Sequence, residues 1–166
     1  QLLEPLRLIE ADHGPKFRYA SAGGLYPVRL YVLPLSEHLE GLNRTPHYYD
    51  PQEHRLIAVG APLNLDLASL DPLVNGPVLR AAAFGLMLTL DEAAIQPMYG
   101  EEMERFAWVE CGAICQLLET TAAECGLGLC QIGSRSLAEL AARLSLTPRE
   151  RYLHLLRSEE HTSELQ

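Results

Sequence analysis

From Val28 to Leu33 (VRLYVL) bulky apolar residues alternate with less apolar ones, the period-two pattern of a strand. His47–Tyr49 and His54–Val59 flank Asp50-Pro51-Gln52-Glu53, which predicts a hairpin. Val78–Leu90 (VLRAAAFGLMLTL) is apolar almost without a break. A buried strand and a buried helix both fit that run; Gly85 in its middle and Pro77 ahead of it favour a central strand. Asp91–Ile95 reads as a short helical turn that Gln96-Pro97-Met98-Tyr99-Gly100 breaks. Glu101 to Glu124 carries the three-and-four spacing of an amphipathic helix, with Phe106, Val109, Ala113, Gln116, Leu117 and Thr120 along its inward stripe. Glu101, Glu102 and Glu104 match the positive end of its dipole. A mid-helix glycine costs about 1 kcal/mol against alanine, so Gly112 reads as a close approach. Gly126 ends the helix. Gly126–Gly133 (GLGLCQIG) is a glycine-bounded apolar run, read as a strand. Ser134-Arg135-Ser136 leads to an amphipathic helix over Leu137–Leu144, and Thr147-Pro148 opens a last segment, apolar at Tyr152, Leu153, Leu155 and Leu156.

Composition narrows the function classes. A chain of 166 residues makes one domain large enough for a real core. Its net charge of −9 argues against nucleic acid and anionic membranes as partners. No apolar run reaches the roughly 20 residues that span a bilayer, and no basic signal segment opens the chain. The expectation is a cytoplasmic protein. Cys111, Cys115, Cys125 and Cys130 lack the paired short spacing of a zinc site. They read as small buried apolar residues, and no metal is expected. Arg157–Gln166 (RSEEHTSELQ) resembles the translated read of a sequencing-library adapter and is set apart from the folded unit, 1–156.

The chemistry-bearing stretch is Ser21-Ala22-Gly23-Gly24-Leu25-Tyr26-Pro27. Two glycines without Cβ let the backbone take positive φ and press against a ligand. Ser21 adds a hydroxyl, and Pro27 ends the loop ahead of a strand. A plain Gly-Gly turn fits the same residues. Gly126–Gly133 is not a dinucleotide fingerprint, because it runs helix, glycines, strand rather than strand, glycines, helix.

Three stretches together resemble one family: Arg18–Val28, Gln96–Gly100, and Val109–Ala113 through Leu118 with Gly126–Gly133. The chain is similar, from about Phe17 to Leu156, to the SagB-type thiazoline/oxazoline dehydrogenases of the FMN-dependent nitroreductase superfamily. It looks most like the oxidase domains embedded in nonribosomal peptide synthetases. The resemblance implies an α+β fold, an antiparallel-rich sheet flanked by helices, truncated at the N-terminus, where the family's arginine-rich flavin-phosphate segment is missing. It implies a homodimer with FMN between subunits, acting on a carrier-bound peptide heterocycle delivered by a carrier protein.

The resemblance also implies site residues. Arg18, Ser21, Ala22, Gly23, Gly24 and Leu25 would contact the flavin, with Leu129, Cys130, Ile132 and Gly133 against it from the other side. Arg135 sits where a phosphate contact or a solvated arginine would stand. Gln116 would reach a flavin edge or cap a core position. Tyr99 is the family-position candidate for the base that takes a proton from the substrate, or else packs or positions it. A lysine often precedes that tyrosine in relatives; here Met98 does. Glu110 is a weaker candidate base, expected to pair with Arg105 or a solvent partner. The implied reaction is oxidation of a thiazoline or oxazoline to the azole. Another FMN-dependent nitro- or ene-reductase of the same fold, or a catalytically inactive FMN-binding domain, are the alternatives.

Overall fold

The computed structural model describes residues 1–12, 14–36, 39, 42–62, 75–133, 144 and 146–159. Six strands form one sheet: β1 (Val28–Pro34), β2 (His47–Asp50), β3 (Arg55–Ala58), β4 (Phe84–Asp91), β5 (Gly128–Ile132) and β6 (Glu150–Glu159). Their order across the sheet is β3-β2-β1-β4-β6-β5. Every pairing among them is antiparallel. Among the described residues three helices accompany the sheet: α1 (Gly76–Ala81), α2 (Glu92–Tyr99) and α3 (Met103–Glu124). The α+β, antiparallel sheet with helices that the sequence implied is therefore what forms.

The central strands β1 and β4 are buried on both faces, which explains why they read as near-continuous apolar runs, whereas β3 at the edge is exposed. Leu30 and Val32 of β1 and Leu86, Leu88 and Leu90 of β4 share one core cluster with Ala107, Cys111, Ile114, Cys115 and Leu118 of α3. The intervening Tyr31 and Leu33 of β1 and Met87 of β4 pack on the other face with Leu79 of α1 and with Leu144. Leu86, Met87, Leu88 and Leu90 are each 1% exposed or less, so both sides of β4 are sealed. A bulge shifts the β4–β6 register between Leu88 and Thr89, where Leu88 faces His154 and Thr89 faces Tyr152.

A polar knot fixes where β1 and β6 begin and where β4 ends. Glu150 on β6, its side chain 2% exposed, accepts the Tyr31 hydroxyl at 2.7 Å and the Thr89 hydroxyl at 3.4 Å. Thr147 donates its backbone N–H and its hydroxyl to the other carboxylate oxygen. Arg29 bridges Glu150 and Asp91. Asp91 in turn caps α2 by accepting the Ala93 N–H.

Three sequence expectations need correction. The run Val78–Leu90 is two elements: Pro77 sits in the first turn of helix α1, and the strand begins only at Phe84. Pro97 does not break α2, which continues to Tyr99 and stops at Gly100, φ 50°. Losing one backbone hydrogen bond so near the end of a two-turn helix is tolerated because the helix is about to finish. The inward stripe of α3 is out of phase with the expectation. Its buried residues are Ala107, Glu110, Cys111, Ile114, Cys115, Leu118, Thr121 and Ala122. Val109 is 67% exposed, and a Cβ on Gly112 would meet nothing within 4 Å.

The hairpin β2–β3 and the strand in Gly126–Gly133 form as expected. Strand β6 runs through Arg157–Glu159, which pair with β4 and β5. The expected helix over Leu137–Leu144 lies outside the described residues, Leu144 excepted, as does 160–166. Cys111 and Cys115 are buried and Cys125 and Cys130 half-buried, all as free thiols. Among the described residues no cluster could hold a metal, and no helix is long and apolar enough to cross a membrane.

Leu88→Ala removes a fully buried side chain from the centre of this sheet. It should cost about 2–5 kcal/mol of unfolding free energy, read as a lowered denaturation midpoint with an unchanged slope.

Candidate functional site

The glycine loop is a single 3₁₀ turn, Ala22–Gly24, entered from an extended Ser21. Gly23 and Gly24 take φ 61° and 66°, the left-handed region that side chains resist. Tyr26 is held at φ 48°, unusual for a bulky residue and a form of stored strain. The Tyr26 N–H donates to Ser21 Oγ at 2.8 Å, which closes the loop on itself. The N–H groups of Ala22 and Gly23 find no acceptor among the described residues.

The two glycines differ in what they face. A Cβ on Gly23 would stand 2.9 Å from Met98 Sδ and 3.1 Å from the Tyr99 hydroxyl. The end of α2 therefore lies against the loop, so the two motifs separated by some seventy residues of chain meet here. Tyr99 also packs on Phe106 of α3, ring centroids 4.7 Å apart. A Cβ on Gly24 would meet nothing within 4 Å. That side of the loop is exposed main chain. Phe17, Tyr19 and Tyr26 form an aromatic cluster beside it, with centroids 4.4–5.7 Å apart.

Beneath the loop lies Glu110, which the sequence reading ranked as a weaker candidate and expected to pair with Arg105. It is 1% exposed. Its Oε1 accepts the Val28 N–H at 3.2 Å, and Oε2 has no hydrogen-bond partner among the described residues. Arg105 pairs with Glu102 instead. Burial pushes the Glu110 carboxyl up to about 7, against a smaller downward pull from the Ser21 hydroxyl and the Val28 N–H. Tyr19 is raised as well, by its own burial first and by the Glu110 charge second. With the helix phased on Ala107, Cys111, Ile114, Cys115 and Leu118, Glu110 falls on the buried side, and that phasing was the signal available in the sequence.

The other expected site residues are dispersed. Leu25 and Leu129 pack against the same core cluster as α3, and β5 lies against α3. Ile132 points into the opposite cluster, leaving only its main chain for a ligand. Cys130 is half-buried. Gly133 has open space where a Cβ would be. Arg18 is engaged by Glu4, with a 2.7 Å ion pair between two exposed side chains. Gln116, expected to face inward, is exposed and hydrogen-bonds Thr120 at 3.2 Å. Arg135 lies outside the described residues.

Comparison with known proteins follows this geometry. The sequence model described as the nitroreductase family matches residues 6–157. Indigoidine synthase of Dickeya dadantii (strain 3937) is 28% identical over 115 residues, covering 69% of this chain and 7% of that protein. A chain of the E. coli microcin synthetase McbBCD complex, solved with truncated pro-MccB17 bound, superimposes with a TM-score of 0.78 at 21% identity. The match covers 96% of this chain and 61% of that one. A nitroreductase from Desulfovibrio desulfuricans, solved in complex with FMN, gives a TM-score of 0.53 at 17% identity, over 95% of this chain and 83% of its own. This chain thus spans a small part of the synthase and about three fifths of the synthetase chain.

The raised carboxyl makes a stability prediction. Folded Glu110 holds its proton up to about pH 7, whereas the unfolded residue releases it near 4.5. The folded state therefore binds more protons between those values, and stability falls as pH rises through that window. The full loss is bounded at roughly 3 kcal/mol. Glu110→Gln should remove this slope in denaturant unfolding measured at successive pH values.

Proposed function

Because the chain belongs to the nitroreductase family, we propose that it is an FMN-dependent oxidoreductase that oxidises peptide thiazoline or oxazoline rings to azoles. The observation that carries this reading is the loop of bare main chain pinned between Tyr99 and Glu110. Its open Gly24 side and its unclaimed N–H groups suit a flat, acceptor-rich ring. When bound, FMN supplies the two-electron acceptor that ring oxidation requires.

In this reading the chain's own residues bind and orient. Ser21, Ala22, Gly23, Gly24 and Leu25 offer main chain to the cofactor, Arg135 is the candidate phosphate contact, and Arg18 would reach the cofactor only on leaving Glu4. Leu129, Cys130, Ile132 and Gly133 contribute through β5 and its end. Tyr99 stands at the loop with its hydroxyl toward Gly23 and is the candidate base in this reading.

The substrate context has separate support. The chain matches 7% of a far longer synthase, as a domain embedded in a synthetase and fed by a carrier protein would. The microcin synthetase resemblance, in a complex that holds truncated pro-MccB17, favours a peptide-borne heterocycle. The expected homodimer has support in the exposed side of α3. Val109 and Trp108 are 67% and 45% exposed, and Gly112 leaves room for a second helix to approach closely. Gln116 lies on that exposed side, so it serves a flavin site only across such an interface.

Two experiments test this reading. The purified protein, loaded with FMN, should convert a thiazoline thioester to the thiazole with oxygen uptake and no NAD(P)H. Reduction of a nitro compound at the expense of NAD(P)H, with the thiazoline untouched, would favour the reductase alternative. Flavin binding with neither activity would favour an inactive domain. Tyr99→Phe should lower turnover about 10²-fold or more with FMN affinity unchanged; unchanged turnover would remove Tyr99 as base. Val109→Glu places a charge in the proposed contact, and light scattering should then report monomers where the parent chain is dimeric.

A further inference from the structure

The buried carboxyl beneath the glycine loop has no part in the proton transfer above, and it carries an inference that rests on reading the loop as a flavin surface. Glu110 and Ser21 together hold both ends of the turn. The Val28 N–H donates to Glu110 Oε1 at 3.2 Å, and the Tyr26 N–H donates to Ser21 Oγ at 2.8 Å. The Ser21 hydroxyl itself acts on the Glu110 carboxyl. These contacts span Ser21 to Val28 and hold Tyr26 at φ 48° between them. A strained left-handed tyrosine persists only where its surroundings over-determine it.

The carboxyl that anchors this arrangement has nowhere to place a charge. Glu110 is 1% exposed and its Oε2 is unpartnered among the described residues. Among the described residues, the groups facing it are Tyr19 and Ser21 from the segment at the loop, Val28 from β1 and Cys111 from its own helix. None of these is a cation. The Cys111 thiol is itself pushed up, by its hydrogen bond with Cys115 first and by burial next, and so stays neutral.

We propose that Glu110 is the positioning residue of the cofactor-facing turn: through the Val28 N–H it ties the turn to α3, and because a charge cannot be hydrated in that closed site, ionisation favours an opened turn and weakens the flavin's hold. The sign follows from linkage. Opening the turn lets water reach the carboxylate, so the open form binds the proton less tightly than the closed one. Closure is thus favoured at low pH and lost as pH rises. Burial brings the Glu110 carboxyl to about 7, so the change falls in the neutral range. Gln at this position mimics the neutral acid at every pH.

The test is FMN affinity of the wild-type chain and Glu110→Gln at pH 6, 7 and 8, read by quenching of flavin fluorescence. The ratio of the two dissociation constants cancels titration of the flavin phosphate. It should be near one at pH 6 and climb to about fivefold at pH 8, as a carboxyl near 7 in the free protein and about one unit higher in the complex gives. A ratio that stays flat overturns the inference and leaves the flavin reading intact. A folded wild-type chain that binds no FMN at any pH overturns that reading instead.

The clamp is then judged without flavin, by hydrogen exchange. Amides of the Ser21–Val28 segment, referenced to those of β4, should open more readily at pH 8 than at pH 6 in the wild type. They should open equally in Glu110→Gln. If that variant does not fold, the wild-type comparison alone decides, and equal protection at both pH values overturns the clamp.

Discussion

One hydrogen bond, from the Val28 N–H to the buried carboxyl of Glu110, joins the parts of this molecule that matter to a ligand. It ties the first residue of β1, and with it the end of the glycine loop, to the middle of α3. Helix α3 is itself fixed by the core, since Ala107, Cys111, Ile114, Cys115 and Leu118 fill one face of the sheet. The loop therefore inherits the rigidity of the packed interface between α3 and the sheet. A loop that exposes bare main chain has few side chains of its own to hold its shape. Its order comes from beneath, through Glu110, and from the side, where the end of α2 stands against Gly23.

This arrangement divides labour between the two glycines. Gly23 is required by the protein, because Met98 and Tyr99 occupy the space a Cβ would take. Gly24 is required by nothing the chain itself places there, apart from its φ of 66°. An opening of that kind in an otherwise braced loop is what a ligand-facing surface needs. The polar knot around Glu150 plays a different part. It locks β1, β4 and β6 in register on the far face of the sheet, and so fixes where Val28 begins.

Much of this was legible in the sequence, and the failures have physical causes. The hairpin, strand β1 and the glycine-bounded β5 follow from alternation and turn residues, because each is local. The phase of α3 was misread because its buried side contains a glutamate and two cysteines, while its exposed side carries Val109 and Trp108. A carboxyl buried for a tertiary reason and an apolar face left open both invert the amphipathic rule. Helix α1 hid inside the run Val78–Leu90 because a fully buried segment has no periodicity to read. The meeting of Tyr99 with Gly23 is non-local, and only the family resemblance pointed to it.

The account turns on whether the loop's open side receives a flavin, and Gly24→Asn probes that side alone. Asparagine tolerates the left-handed backbone that Gly24 adopts, and its side chain would enter space the protein leaves empty. Fluorescence titration with FMN should show saturable binding to the wild-type chain, and binding weakened at least tenfold for the variant, with the thermal midpoints of the ligand-free proteins little changed. Equal affinity in the two proteins, or no saturation by the wild type into the millimolar range, would contradict the account.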